Sequence, residues 1–146
     1  MQYDVVIIGG GPSGMAAAIE SSKLNAKTLI IERNETLGGI LNQCIHNGFG
    51  LHYFKEELTG PEYAFKFREL ISNEKNIDVK LNTFVTNIDK ENNVVTIKSS
   101  NGVENVKYKS LVLSMGCRER TAGNILLTGT RPVGIYTAGT AQKLVN

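Results

Sequence analysis

The fold is decided by ten consecutive residues, Val5-Val6-Ile7-Ile8-Gly9-Gly10-Gly11-Pro12-Ser13-Gly14. An apolar run leads directly into glycines with the spacing Gly9-x-Gly11-x-x-Gly14. Gly9 permits a sharp turn off a strand, Gly11 lets a ligand approach the backbone, and Gly14 lets a helix lie close to the sheet. The stretch therefore predicts a strand, a tight turn and a helix, and residues 9–14 are called the glycine turn below.

The predicted helix begins in a way that suits a bound phosphate. Pro12 fits an early helical position because its missing N–H is not needed there, and phosphates would meet free N–H groups and the positive end of the helix. A second apolar run, residues 28–31, ends at Glu32, which lies 18 residues after Gly14. This is the spacing expected for a carboxylate that accepts hydrogen bonds from a ribose. We interpret these parts as a dinucleotide-binding βαβ unit. Arg33 has two interpretations, a phosphate contact or a solvated side chain.

Length and composition favour one soluble domain. The chain has 146 residues, of which 41% are hydrophobic and 21% charged, and a formal net charge of +2. The basic residues are dispersed, so we expect no nucleic-acid partner. No apolar run approaches the roughly 18 residues of a membrane span, and the first strand begins too early for a signal peptide. The two cysteines are too few for a disulfide scaffold, and we predict a cytoplasmic protein.

The remaining chain predicts an α/β fold. Residues 34–52 form a glycine-bearing loop of the kind that contacts ligands at the carboxyl ends of parallel strands. Three short strands with polar turns predict an antiparallel β-meander inserted into a parallel sheet, which makes the fold Rossmann-like. The predicted elements after the loop are a helix at 60–74, a strand at 77–81, meander strands at 83–88, 94–99 and 106–108, a buried strand at 111–113 and a helix at 137–145.

This order of parts resembles the FAD-binding half of the pyridine nucleotide-disulfide oxidoreductases, flavoproteins with two dinucleotide-binding domains. The resemblance is carried by the glycine turn, Glu32-Arg33, Gly38-Gly39, the meander, and Ser114-Met115-Gly116, where the family usually has Ala-Thr-Gly. Three further stretches, residues 38–44, 115–120 and 129–142, resemble a subgroup of flavin subunits similar to those of sarcosine oxidase alpha, opine oxidase and hydrogen cyanide synthase.

The resemblance implies FAD as the cofactor and assigns a role to each matching position. The adenosine ribose would lie on Glu32 beside Arg33, and Val85 would hold adenine through its backbone. Gly38, Gly39 and Ile40 would pass beside the phosphates toward the flavin. The residues implied to hold the pyrophosphate are Gly9, Gly11, Pro12, Ser13 and Gly14, and those implied to close over the cofactor are Ser114, Met115 and Gly116. Gly116 is also compatible with an ordinary glycine at a strand end.

The other reactive side chains do not form a recognisable catalytic set. Disulfide reductases of this family place two cysteines, spaced Cys-x-x-x-x-Cys, after the second glycine pair, whereas Cys44 stands alone and Phe49 occupies the second position. A single thiol cannot form that redox pair. For Cys44 and Cys117 we favour an apolar packing role, with a flavin-facing thiol as the alternative for Cys44. No metal site is expected, because His46 and His52 lack neighbouring ligands. Three arginines could steer an anion or be solvated: Arg118, Arg120 and Arg131.

We expect residues 1–146 to be the N-terminal FAD-binding part of a longer oxidoreductase whose NAD(P)-binding domain lies outside this sequence. In the parent protein, hydride would pass between NAD(P)H or a small reduced substrate and FAD, whereas this part alone would be inactive. Two alternatives stay open: an NAD(H)-binding domain, and a non-catalytic nucleotide-binding or assembly subunit. As partners we expect FAD, a small-molecule substrate, and either a second copy of the chain in a homo-oligomer or a partner flavoprotein subunit. The sequence assigns no catalytic residue.

Overall fold

A six-stranded sheet forms the centre of the fold. The computed structural model describes residues 1–130 and 132–145, and the chain divides into two units, Met1–Met115 and Gly116–Asn146. The six strands of the sheet lie in the first unit: β1 (Gln2–Ile8), β2 (Thr28–Ile31), β5 (Ile77–Lys80), β6 (Phe84–Asp89), β7 (Val94–Ser99) and β8 (Gly102–Leu113). Their order is β5-β2-β1-β8-β7-β6, parallel from β5 to β8 and antiparallel from β8 to β6. The predicted Rossmann-like sheet with a meander is therefore confirmed.

The strand β8 joins the meander to the parallel sheet. Two separate strands, 106–108 and 111–113, were predicted, and this division was wrong because one strand runs through both. Its first part pairs with β7 and its second with β1, and Lys107 pairs on both sides. The intervening Lys109 and Ser110 are exposed. Exposed polar side chains do not interrupt backbone pairing, since the ladder hydrogen bonds are made by the main chain.

The end of β8 is less buried than predicted. Leu111 and Val112 are half-buried, each against a different core, whereas Leu113 is 57% exposed. A strand inside a sheet is fully buried only where both faces are covered. The expectation of a buried strand was therefore wrong for Leu113.

Two hydrophobic cores cover the two faces of the sheet. On one face, helices α1 (Pro12–Lys23) and α2 (Gly60–Ser72) pack on Ile7 and Ile30. On the other face, Val95, Ile97 and Val106 of the meander pack against residues of β1 and β2. Burial of these apolar side chains is the main stabilising contribution, at roughly 25 cal/mol per Å² of apolar surface. Alternate residues of β1 and β2 thus belong to different cores.

The loop predicted at 34–52 is partly ordered into short elements. It contains a 3-10 helix (Gly39–Gln43) and β3 (Asn47–Phe49), which pairs antiparallel with β4 (Leu58–Thr59). The helix α2 begins with a capping box between Thr59 and Glu62 and ends two residues before the predicted position. In the described part of the chain, no helix has the length and apolar character needed to cross a membrane.

The described residues of the second unit include a helix, α3 (Ala138–Val145), which begins one residue after the predicted start. The carboxylate of Glu119 accepts a hydrogen bond from the Gly139 amide at 2.7 Å. Three hydrogen bonds, first that of the Thr137 hydroxyl and then those of the Gly139 and Thr140 amides, lower the pKa of Glu119. Arg118 and Arg120 are exposed, and Arg131 lies outside the described residues.

Candidate functional site

Steric contacts require glycine at both ends of the glycine turn. Gly9 has φ +105°, and a Cβ atom on it would lie 2.5 Å from the carbonyl oxygen of Ser114. A Cβ atom on Gly14 would lie 2.0 Å from the carbonyl oxygen of Gly9. Both distances are far below van der Waals contact, so α1 packs against the turn through the bare Cα of Gly14. The predicted mechanical purposes of these two glycines are thus seen in the structure.

Gly11 differs from its two partners because it faces open space. A Cβ atom on Gly11 would meet no atom within 4 Å. Helix α1 begins next to it with Pro12, and its first turn has neither a side-chain cap nor an acidic residue. Among the described residues, none accepts a hydrogen bond from the amides of Gly11, Ser13 or Gly14. Free donors, open space and the positive helix end fit an anionic diphosphate.

Glu32 is buried beside this turn and held in one orientation. Glu32 is only 5% exposed. One carboxylate oxygen, Oε2, accepts a hydrogen bond from the Gly10 amide at 2.7 Å, and Oε1 accepts one from the Asn34 amide at 2.9 Å. A carboxylate has about four acceptor positions, so two remain for ribose hydroxyls. The spacing rule placed Glu32 correctly at the turn but did not reveal its bond to Gly10.

Ser114 contacts the turn from the opposite side. Its hydroxyl donates to the carbonyl oxygens of Gly9 at 2.8 Å and Ile8 at 3.1 Å. The hydroxyl has one hydrogen, which the two carbonyls share, and it is therefore directed into the turn. The family resemblance assigns Ser114 to the cofactor site, but the sequence did not indicate this contact, because it joins residues 105 positions apart.

The second glycine pair, Gly38 and Gly39, lies against the glycine turn. The Gly38 amide donates to the carbonyl of Gly10 at 2.8 Å, and a Cβ atom on Gly39 would lie 3.1 Å from the Cα of Gly11. Both residues have positive φ, +123° and +54°. Ile40 follows at the surface and is 55% exposed. The structure therefore brings the two predicted glycine segments together.

Two polar side chains that the sequence analysis missed hold this segment. Arg68 on α2 donates from Nη1 to the Leu37 carbonyl at 2.9 Å and to Oδ1 of Asn42 at 3.3 Å. A Cβ atom on Gly38 would lie 2.6 Å from that same Oδ1. Arg68 thus braces the second glycine pair from behind. No local sequence pattern predicts this contact, because an arginine at this position of a helix is typical of a surface residue.

The start of the meander also lies close to Glu32. The Thr83 amide donates to the carbonyl of Glu32 at 3.0 Å, and Val85 follows two residues later in the edge strand β6, opposite Ile97. Val85 is half-buried. An edge strand leaves backbone groups unpaired on its outer side.

Three predicted residues have less definite surroundings. Arg33 is exposed, and Met115 is 62% exposed. Gly116 opens the second unit with φ +68°, and a Cβ atom on it would meet nothing within 4 Å.

A groove of about 410 Å³ lies elsewhere, between α2 and the edge strand β5. Two of its three acidic residues are engaged within the fold: Asp78 accepts a hydrogen bond from the Tyr3 hydroxyl at 2.8 Å, and Glu74 accepts one from Ser22 at 2.6 Å. The third, Glu35, is exposed. Burial, followed by the bond to Asp78, raises the pKa of Tyr3 to about 12. None of the predicted cofactor residues lines this groove, and we assign the candidate site to the glycine turn instead.

The cysteines and histidines do not form a catalytic set in the described residues. Cys44 is half-buried, and Cys117 is exposed, so the packing role expected for Cys117 was wrong. Nδ1 of His46 lies 2.9 Å from the Asn47 carbonyl, as expected for a loop histidine that satisfies the backbone. Within residues 1–130 and 132–145, no group of three His, Cys, Asp or Glu side chains could hold a metal ion.

The family model described as "Pyridine nucleotide-disulphide oxidoreductase" matches residues 3–142. The chain belongs to this family. Among curated relatives, it is 34% identical to the HcnB subunit of hydrogen cyanide synthase from Pseudomonas protegens, with 83% of this chain and 26% of the relative covered. It is 29% identical to one of the subunits of opine oxidase from Agrobacterium tumefaciens, with 96% and 28% covered. The chain thus spans about a quarter of the length of these relatives.

Solved structures of oxidoreductases share the fold. Thioredoxin reductase from Lactococcus lactis is 30% identical, with a TM-score of 0.65, and the match covers 82% of this chain and 37% of that one. L-Proline dehydrogenase from P. horikoshii is 26% identical, also with a TM-score of 0.65, and the match covers 80% and 23%.

Proposed function

We propose that this chain is the FAD-binding part of a flavin-dependent oxidoreductase. The observation that carries the proposal is the set of unpaired amides at Gly11, Ser13 and Gly14, with open space at Gly11, next to the buried carboxylate of Glu32. This arrangement offers donors to a diphosphate and acceptors to a ribose at adjacent positions.

In this proposal each segment around the turn contacts one portion of FAD. The pyrophosphate lies over Gly11, with Pro12 starting the helix behind it, and the ribose lies on Glu32, with Arg33 at the rim. The Val85 backbone holds the adenine. Gly38, Gly39 and Ile40 lead toward the isoalloxazine, and Ser114, Met115 and Gly116 close the phosphate end. The proximity of Gly39 to Gly11 supports a single ligand that passes both segments.

FAD, when bound, supplies a ring that accepts or releases a hydride. The residues of this chain bind the cofactor, fix its position and exclude water from the phosphate end. We propose NAD(P)H or a small reduced substrate as the hydride donor in the parent protein. Dithiol chemistry is not part of the proposal, because Cys44 has no second cysteine at the family spacing.

The parent protein is proposed to act as a cytoplasmic component of a larger assembly. Two relatives, those from hydrogen cyanide synthase and opine oxidase, are named as subunits. A partner flavoprotein or a second copy of the chain would fit this role. An assay of the parent protein with flavin and NADH distinguishes an enzyme from a non-catalytic assembly component, which would show no turnover.

The binding test compares FAD, ADP-ribose, NAD and ADP by titration of the purified chain at high concentration. We expect FAD to bind more tightly than NAD, and ADP to compete with FAD for the same site. Tighter binding of NAD would favour the alternative of an NAD(H) domain. A folded chain that binds none of the four ligands would contradict the proposal for this part of the protein.

A further inference from the structure

The peptide bond between Gly9 and Gly10 is held at both ends by side chains. Its carbonyl oxygen accepts a hydrogen bond from Oγ of Ser114 at 2.8 Å. Its N–H group donates to Oε2 of Glu32 at 2.7 Å. Ser114 and Glu32 therefore act on one rigid peptide plane from opposite sides, although they are not bonded to each other.

This peptide plane has little conformational preference of its own. Both flanking residues are glycines, which tolerate most backbone angles, and Gly9 has φ +105°. Rotation of the plane would move the carbonyl that lies against the Cα of Gly14 and would reorient the amides that follow. The direction of the Gly11 amide thus depends on contacts from outside the turn.

The two holding residues are themselves fixed by the sheet. Glu32 follows β2 and Ser114 follows β8, and these strands lie on either side of β1. The Ser114 amide donates to the Ile8 carbonyl at 2.9 Å, and the Glu32 amide donates to the Lys80 carbonyl at 2.9 Å. Both side chains therefore start from backbone positions that hydrogen bonds to a neighbouring strand define.

We propose that Ser114 is a positioning residue that acts through the Gly9–Gly10 peptide, together with Glu32, to aim the free amides of the glycine turn at an anionic diphosphate. Ser114 then contributes to affinity without donating its proton to the ligand. The proposal rests on the proposed function only for the identity of the ligand, because the contacts that hold the peptide are present in the protein alone.

The first test measures amide hydrogen exchange by NMR in the ligand-free chain. S114A removes the bond to the Gly9 carbonyl, and we expect exchange of the Gly10 amide to accelerate about fivefold, the equivalent of one hydrogen bond. The amide of Ile30 in the core should exchange at an unchanged rate, because the loss of the Ser114 bond frees only the glycine turn. S110A is the matched control, because Ser110 is an exposed serine on β8, the strand that Ser114 follows. S114T keeps the hydroxyl and should exchange as the wild type does.

The second test measures binding of ADP and adenosine to the same variants. We expect S114A to weaken ADP binding about fivefold with adenosine binding unchanged, while S110A and S114T match the wild type. An equal loss for both ligands, or no loss for ADP, would overturn the positioning role. So would unchanged Gly10 exchange in S114A. A wild-type chain that binds no ADP would contradict the proposed function. The exchange result alone would then show whether Ser114 holds the Gly9–Gly10 peptide.

Discussion

The Glu32 carboxylate accepts a hydrogen bond from the Gly10 amide at 2.7 Å, which ties the end of β2 to the turn that follows β1. Because Glu32 also accepts a hydrogen bond from the Asn34 amide, its carboxylate is already oriented in the protein alone. An acceptor that is already oriented loses little side-chain entropy when a ribose binds. The acidic residue therefore belongs to both the fold and the candidate site.

This dual role predicts a stability cost for substitutions of Glu32. E32A leaves two backbone amides without their acceptor, and we expect a loss of about 2–3 kcal/mol in the free energy of unfolding. E32Q keeps one carbonyl acceptor and should lose about half as much. Chemical denaturation followed by circular dichroism measures both. E35Q is the control, since Glu35 is exposed, and a loss for E35Q as large as for E32A would contradict the prediction.

Substitutions of Gly11 and Gly14 should separate binding from folding. In G11A the methyl group enters open space at φ −73°, so the loss of stability should stay within about 1 kcal/mol, the usual cost of alanine at an N-cap position. The same methyl group occupies the proposed diphosphate position, and FAD or ADP affinity should fall at least about tenfold, or 1.4 kcal/mol.

G14A is the opposite case. Its methyl group would lie 2.0 Å from the Gly9 carbonyl, and we expect about 3 kcal/mol of destabilisation. Thermal unfolding and an ADP titration on both variants provide the measurements. Full ADP binding by a folded G11A chain would place the ligand elsewhere on the protein.

The sequence predicted local features well and long-range contacts poorly, for physical reasons. The glycine spacing reflects backbone sterics, so it predicted the turn at Gly9, Gly11 and Gly14, and the spacing of 18 residues from Gly14 singled out Glu32. The continuity of β8 was missed because Lys109 and Ser110 look like a turn until their exposed positions in the strand are known. The contacts of Ser114 and Arg68 depend on tertiary packing, which leaves no periodic pattern in the chain.

The capping box of α2 predicts a pH-dependent contribution to stability. The Thr59 amide and hydroxyl donate to the Glu62 carboxylate, both at 2.8 Å, and these two bonds lower the pKa of Glu62 below its ordinary value of 4.5. A lowered pKa in the folded state means that the contribution is present above pH 4.5 and is lost as the pH falls through the folded value.

The stability difference between wild type and E62Q should therefore be largest near pH 7 and shrink toward pH 3. Urea denaturation across this range measures it. In a T59A background the difference at pH 7 should be smaller, because one of the two donors is gone. A difference that grew on acidification would have the wrong sign for this interaction.

The contact between Arg68 and the Leu37 carbonyl predicts that a helix residue controls the second glycine pair. R68A removes the Nη1 donor that holds the Leu37 carbonyl and the Asn42 side chain, and R68K lacks the planar guanidinium that carries this donor. We expect R68A to lose about 1–2 kcal/mol of stability and to accelerate exchange of the Gly38 amide, which is bonded to Gly10. R68K should fall between R68A and the wild type.

R33A serves as the control because Arg33 is exposed. Equal exchange rates of the Gly38 amide in R68A and R33A would show that the Arg68 contact does not order the second glycine pair.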